Sequence, residues 1–187
     1  MPTTADLNKK FSAKVASAMS QWLGTKVNVL NSKSEIVNFA TVENKVLSGS
    51  VDYTFVYEQV LSKVYPGIAW YCLTWKDAFL LTDILSKKTP GTTQAIDKKT
   101  VSALKETANL LIGTYLNEFA KISDQSLLSS KPYLLNVMGA KKILNQFIKM
   151  SSKKNSKPKL LSAEFEIVKQ KVKIKALIIV PSGIIVG

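Results

Sequence analysis

Histidine is absent from the 187-residue chain, cysteine occurs once, and 13 acidic residues stand against 26 basic ones. Each scarcity removes a class of function. Without histidine there is no Ser–His or Cys–His nucleophile pair and no imidazole metal ligand. Any catalysis must rest on carboxylate, amide, hydroxyl or lysine groups. A single cysteine excludes an internal disulfide and fits a reducing compartment. Cys72 stands in the apolar run Ala69–Leu73 and reads as a core residue rather than a nucleophile. No apolar run approaches the roughly 20 residues of a membrane helix. Residues 1–6 have neither the basic region nor the apolar core of a signal peptide. The expectation is a cytoplasmic protein without a membrane partner.

What is present is enough for a core: 46% of the residues are hydrophobic and 21% charged, which fits a single domain over 1–187. The net charge of +13 favours an acidic partner without choosing its class. That charge is carried by lysine, whereas bidentate base or phosphate readout leans on arginine. The lysine-rich stretch 150–159 reads as a solvated connector, because no aromatic residue is interleaved with its lysines. Trp70, Tyr71 and Trp75 read as core and sheet packing rather than as a base-stacking platform. A basic nucleic-acid-binding module is therefore the weakest of the readings carried below.

Along the chain, Asp6–Leu23 has helical periodicity, with Leu7, Phe11, Val15, Ala18 and Trp22 on one face, and Gly24 ends it. Strand patterns follow at 26–30 and 51–60, with a strand-rich stretch of weak boundaries over 35–47. A further strand pattern covers 67–75, with Pro66-Gly67 as the turn before it. A short helix spans 76–87 and stops at Thr89-Pro90-Gly91. The pattern then begins again. Shifting the sequence by one hundred positions lays Phe11 over Leu111, Val15 over Tyr115 and Met19 over Phe119, and Val27 over Leu127. Strand-like runs at 161–168 and 172–180 answer those at 51–60 and 67–75. Two copies of a helix–strand–strand–strand unit, about 1–90 and 91–187, argue for a pseudo-twofold α+β domain. The second copy stops at an apolar 184–187, without the helix that ends the first. The far side of the sheet is then expected to be under-covered, which raises a homodimer as a candidate assembly.

The second long helix, 97–122, carries more than a core face. Val101, Leu104, Ala108, Leu111, Ile112, Tyr115 and Phe119 lie together at ~100° per residue, and Asp97 or Thr100 can cap the start. Beside them run Ser102, Glu106, Asn109 and Gly113, spaced four, three and four apart, on one line of the helix surface. A carboxylate and a carboxamide therefore point the same way, flanked by two small residues. The pattern Ser-x3-Glu-x2-Asn resembles the signature of the CheC/CheX/FliY family of chemotaxis phosphatases. Pro132, downstream in Ser-Ser-Lys-Pro, stands where that family has its proline. The run Gly-Thr-Tyr-Leu-Asn-Glu-Phe at 113–119 is similar to the family's second motif helix.

The resemblance implies paired long helices on a continuous antiparallel sheet, and the hydrolysis of an aspartyl phosphate on a CheY-like response regulator. It implies that Asn109 orients the attacking water and that Glu106 pairs with the active-site lysine of phosphorylated CheY. Ser102 and Pro132 would shape the contact surface, and Gly113 would permit close approach. The Mg²⁺ would belong to the regulator, leaving this chain with no cofactor of its own and no metal site. A CheD-type protein is a further candidate partner. The first copy departs from the pattern. Asp6 and Lys9, or in a shifted register Lys10 and Ala13, stand where the second copy has Glu106 and Asn109, and Ser32 stands for Pro132. One motif then remains, which keeps open a non-catalytic, FliM-like scaffold of the flagellar switch. Ser102 as a nucleophile lacks any activating base.

Overall fold

The computed structural model describes residues 3–37, 44, 53–61, 67–123, 127–152 and 158–181. Among them four helices and seven strands form in the order α1 (Thr4–Leu23), β1 (Val27–Ile36), β2 (Tyr53–Leu61), β3 (Gly67–Thr74), α2 (Trp75–Leu85), α3 (Lys98–Ser123), β4 (Leu128–Ser129), β5 (Tyr133–Leu135), α4 (Val137–Ser152), β6 (Pro158–Ile167) and β7 (Val172–Pro181). All strands join one antiparallel sheet in the order β1-β6-β7-β3-β2-β4, and β5 also pairs with β2. The fold is α+β.

The sheet is organised about its centre, where β3 and β7 pair through Trp70 and Leu177. Each half contributes a hairpin, β2–β3 or β6–β7. Each half also sends its first strand to the outer edge of the other half's hairpin, so β1 pairs with β6 while β4 and β5 pair with β2. The two edges share an irregularity. On β1 the register shifts between Val29 and Asn31, around Leu30. On the opposite edge three residues lie between Ser129 and Tyr133, where two lie between their partners Val60 and Tyr57. One extra residue therefore lies between β4 and β5, at the same place in the second half as Leu30 in the first. Pro132 sits at this bulge, on an edge strand, where the missing N–H costs no ladder bond.

Alternation of side chains across a strand divides the core into two layers. Ala69, Tyr71 and Leu73 of β3 face α1, α2 and α3, together with Leu161, Ala163, Phe165 and Ile167 of β6. Ile68, Trp70 and Cys72 face the other way, against Ala140, Leu144 and Phe147 of α4. Both faces of β3 are buried, so its sequence is a continuous apolar run rather than an alternating one. Trp70 and Tyr71 are core residues and offer no stacking surface. Helix α4 corrects the expectation of an under-covered far face. It follows β5 in the second half and supplies that layer; the matching stretch of the first half, 38–43 and 45–52, lies outside the described residues. The strand-rich reading of 35–47 falls mostly there too. Of the basic connector, 150–152 belong to α4, 158 and 159 open β6, and 153–157 lie outside the described residues. No helix among the described residues is long and apolar enough to cross a membrane.

The long helices α1 and α3 pack side by side on the sheet. Phe11 meets Tyr115 edge-on at 6.2 Å between ring centroids and Phe119 at 5.7 Å. Burying such a ring contributes roughly 1.5–3 kcal/mol. Beneath them runs a satisfied polar network. Asn8 Nδ2 donates to the carbonyls of Lys33 (2.8 Å) and Ser162 (3.0 Å). Ser12 Oγ donates to the Asn8 carbonyl, and it lies 2.6 Å from the Tyr115 hydroxyl. That hydroxyl in turn reaches Asn8 Oδ1. The network ties α1, α3, β1 and β6 together and fixes how far α3 can rotate about its axis.

Cys72 is buried in the α4-side layer, with its thiol 3.4 Å from the Lys175 carbonyl. Burial pushes its pKa from 9.0 up to about 12. The neutral thiol is thus favoured by folding. From pH 9 upward the unfolded chain releases this proton and the folded one keeps it, so stability falls across pH 9 to 12. The buried phenols of Tyr71 and Tyr115 are raised for the same reason and add to the fall. Native protein at pH 8 is expected to leave a thiol reagent unreacted until denaturant is added. In denaturant titrations, Cys72→Ala is expected to make the alkaline slope shallower.

Candidate functional site

Helix α3 carries the stripe, and its start is firmly set. Asp97 is the N-cap: its Oδ1 accepts from Thr100 N at 2.7 Å and from Thr100 Oγ1 at 3.0 Å. Those bonds hold the Asp97 carboxyl below the usual range. The loop leading into it is pinned from below by Asp83, a fully buried carboxylate on α2. Asp83 accepts from Gly91 N at 2.8 Å, Thr93 N at 3.0 Å and Thr93 Oγ1 at 2.6 Å. Gly91 has φ +89°, a left-handed conformation that disfavours side chains. The sequence reading missed Asp83. Its signal was an acid one residue before Ile84 in the apolar C-terminal half of the helix, followed by a Gly/Thr loop.

Leu104, Ala108, Leu111, Ile112, Tyr115 and Phe119 point α3 inward. The polar line therefore faces out. Ser102, Glu106 and Asn109 are all exposed, and Gly113 is half-buried. Among the described residues neither Glu106 nor Asn109 makes a hydrogen bond or an ion pair, so both side chains are available to an incoming surface. A methyl group built at Gly113 would meet nothing within 4 Å. Among the described residues no neighbour requires glycine there, and glycine inside a helix costs about 1 kcal/mol relative to alanine. Pro132 is buried at its bulge and adds no exposed surface to the stripe; the structure assigns it to the sheet edge.

The counterpart on α1 has a physical reason to lack the pair. That helix begins at Thr4, so Asp6 falls in its first turn. Asp6 closes a capping box with Thr3: Oδ2 accepts from Thr3 N at 3.0 Å and Thr3 Oγ1 at 2.6 Å, while Asp6 N donates back to Thr3 Oγ1. Thr3's donors hold the Asp6 carboxyl below its ordinary range. A carboxylate engaged in this way is not available to a partner. On α3 the capping is done by Asp97, nine residues before Glu106, which leaves Glu106 unengaged.

The local charge is lopsided. Lys98 and Lys99 open α3 and no acid lies in its first turn, although cations at a helix N-terminus are disfavoured by the backbone dipole. Lys105 follows beside Glu106. The described residues contain no group of three or more His, Cys, Asp or Glu side chains able to hold a metal ion. What the arrangement offers is a carboxylate and a carboxamide, one turn apart on a rigid rod, in a field of lysines.

This architecture defines a class of protein fold. It is the fold of the CheX, FliY and CheC-like chemotaxis proteins, found also in the middle domain of FliM. FliY of Thermotoga maritima matches with a TM-score of 0.60 at 15% identity, over 98% of this chain and 94% of that one. CheX from a CheX–CheY–BeF3–Mg²⁺ complex of Borrelia burgdorferi matches at 0.58 and 12% identity, over 94% and 98%. The FliM middle domain of Vibrio alginolyticus matches at 0.57 and 10% identity, over 95% and 92%. No family model matches the sequence, and no curated protein does.

Proposed function

We propose that this chain is a member of the CheC/CheX/FliY group that hydrolyses the aspartyl phosphate of a CheY-like response regulator. One observation carries the reading: Glu106 and Asn109 are exposed together, unengaged, on the outer face of α3, on the fold those phosphatases use. Hydrolysis of an acyl phosphate asks little covalent help of a catalyst; it asks for a water held in line with the scissile P–O bond. The Asn109 amide can accept from that water and donate to it, aiming a lone pair at phosphorus. The water oxygen bonds to phosphorus, the bond to the aspartate oxygen breaks, and phosphate and a free carboxylate leave. Glu106 pairs with a cation on the regulator and so fixes the docking register. Ser102 and the open flank of Gly113 let the two surfaces approach. The regulator brings the Mg²⁺, and this chain supplies position alone.

The second reading, a FliM-like scaffold that binds without turnover, has the similarity to the FliM middle domain in its favour. The decay of a phosphorylated CheY-like regulator separates the two. Catalytic amounts of this protein are expected to shorten the phosphoryl lifetime at least about tenfold. Binding of the phosphorylated form with an unchanged lifetime would overturn the phosphatase reading in favour of the scaffold.

A further inference from the structure

Three lysines stand within one helical turn of the stripe. Lys98 and Lys99 lie four and three residues before Ser102; Lys105 is next to Glu106 and four residues before Asn109. The first two are exposed and the third half-buried. Among the described residues none of them makes an ion pair. Asp97, next to Lys98, caps the helix through Thr100 and keeps its negative charge, so it offsets one of the three cations. Further along the helix Glu118 is engaged by Lys121. Glu106 is thus a single free carboxylate at the edge of three unpaired cations.

Unpaired like charges so close together have no stabilising role in the chain itself, and they project a positive potential over the face that holds Glu106 and Asn109. We propose that Lys98, Lys99 and Lys105 form a steering collar that draws an acidic phosphoprotein surface onto this face, Glu106 marking the one spot where the partner must present a cation. The inference rests on the proposed function and names the chemistry of its partner. A phosphorylated aspartate, with the carboxylates that hold its Mg²⁺, is such a surface. Attraction at the rim speeds encounter, while the lone acid penalises partners that are acidic throughout, so rate and selectivity come from different residues.

The test is stopped-flow association with a labelled CheY-like regulator carrying Mg²⁺ and beryllofluoride as the phosphoryl mimic. The collar variant is Lys98→Glu/Lys99→Glu/Lys105→Glu. Its control, Lys141→Glu/Lys142→Glu/Lys149→Glu, changes net charge equally on α4, across the sheet. Circular dichroism confirms that both variants fold. At low salt the collar variant is expected to associate at least about tenfold more slowly than wild type, and the gap is expected to close as salt rises. The α4 variant is expected to stay within about twofold. Equal slowing of both variants would assign the effect to net charge and overturn the collar, as would a collar variant with an unchanged rate. Turnover is read separately. Collar-dependent association without phosphoryl loss keeps the collar and removes the phosphatase; phosphoryl loss with collar-independent association does the reverse.

Discussion

Asn109→Ala is expected to lower the rate of regulator dephosphorylation by about 100-fold or more while regulator binding stays within a few-fold of wild type. The size follows from what the amide is asked to do. A misplaced water loses most of the advantage of orientation, and small misplacements cost on that order. Binding survives because the amide is exposed and supports no neighbour; among the described residues it makes no hydrogen bond, so truncation leaves nothing in the chain unsatisfied. Glu106→Gln separates the roles: weaker binding with a nearly unchanged maximal rate is expected for a docking carboxylate, and a fall in the maximal rate alone would make Glu106 the base instead. Single-turnover decay at saturating regulator distinguishes these outcomes. If Asn109→Ala dephosphorylates as well as wild type, the water-positioning role is wrong.

The largest effect on stability is expected at the centre of the sheet. Trp70 is fully buried and pairs with Leu177 where the two halves meet, packed among Ile68, Leu144, Phe147 and Ile179. Trp70→Ala is expected to cost about 3–5 kcal/mol, against a total stability of about 5–15 kcal/mol for a domain. The thermal midpoint then falls by roughly 10 °C or more. Trp70→Phe is expected to cost less than about half as much. The indole Nε1 is buried and finds no acceptor among the described residues, so exchanging it for a phenyl ring gives up packing volume but no hydrogen bond. Thermal melts followed by circular dichroism check both substitutions. A Phe variant as unstable as the Ala variant would mean that the indole N–H has a partner after all.

Helix periodicity was the most legible part of this sequence. The apolar spacing placed α1, α2 and α3 to within about two residues. It also put the polar line of α3 on the outer surface, because a stripe opposite a buried face has nowhere else to go. Tertiary context was not legible. Helix α4 lies outside the repeated pattern, although Ala140, Leu144 and Phe147 share a helical face. The spacing after Asn109 singles out Pro132, but only the pairing of β4 and β5 with β2 shows that it lies at an edge bulge. Asp83 and the Asn8–Ser12–Tyr115 network were invisible for a common reason. Whether a polar residue is buried and satisfied depends on partners that arrive from remote parts of the chain, and no local pattern encodes them.

The exchange of edge strands has a kinetic consequence. Val27 pairs with Ile167, and Val60 with Ser129, so neither half can complete its own sheet from local sequence. The hairpins β2–β3 and β6–β7 can form early, but each waits for a strand from the other end of the chain. Closing such long loops costs entropy before the contacts repay it, and high contact order slows folding. The rate-limiting step should therefore be the docking of the hairpins across β3 and β7 with the crossing-over of β1 and β4–β5, a late and concerted event. Once it is complete the halves are interlocked, and neither can leave without the other unfolding.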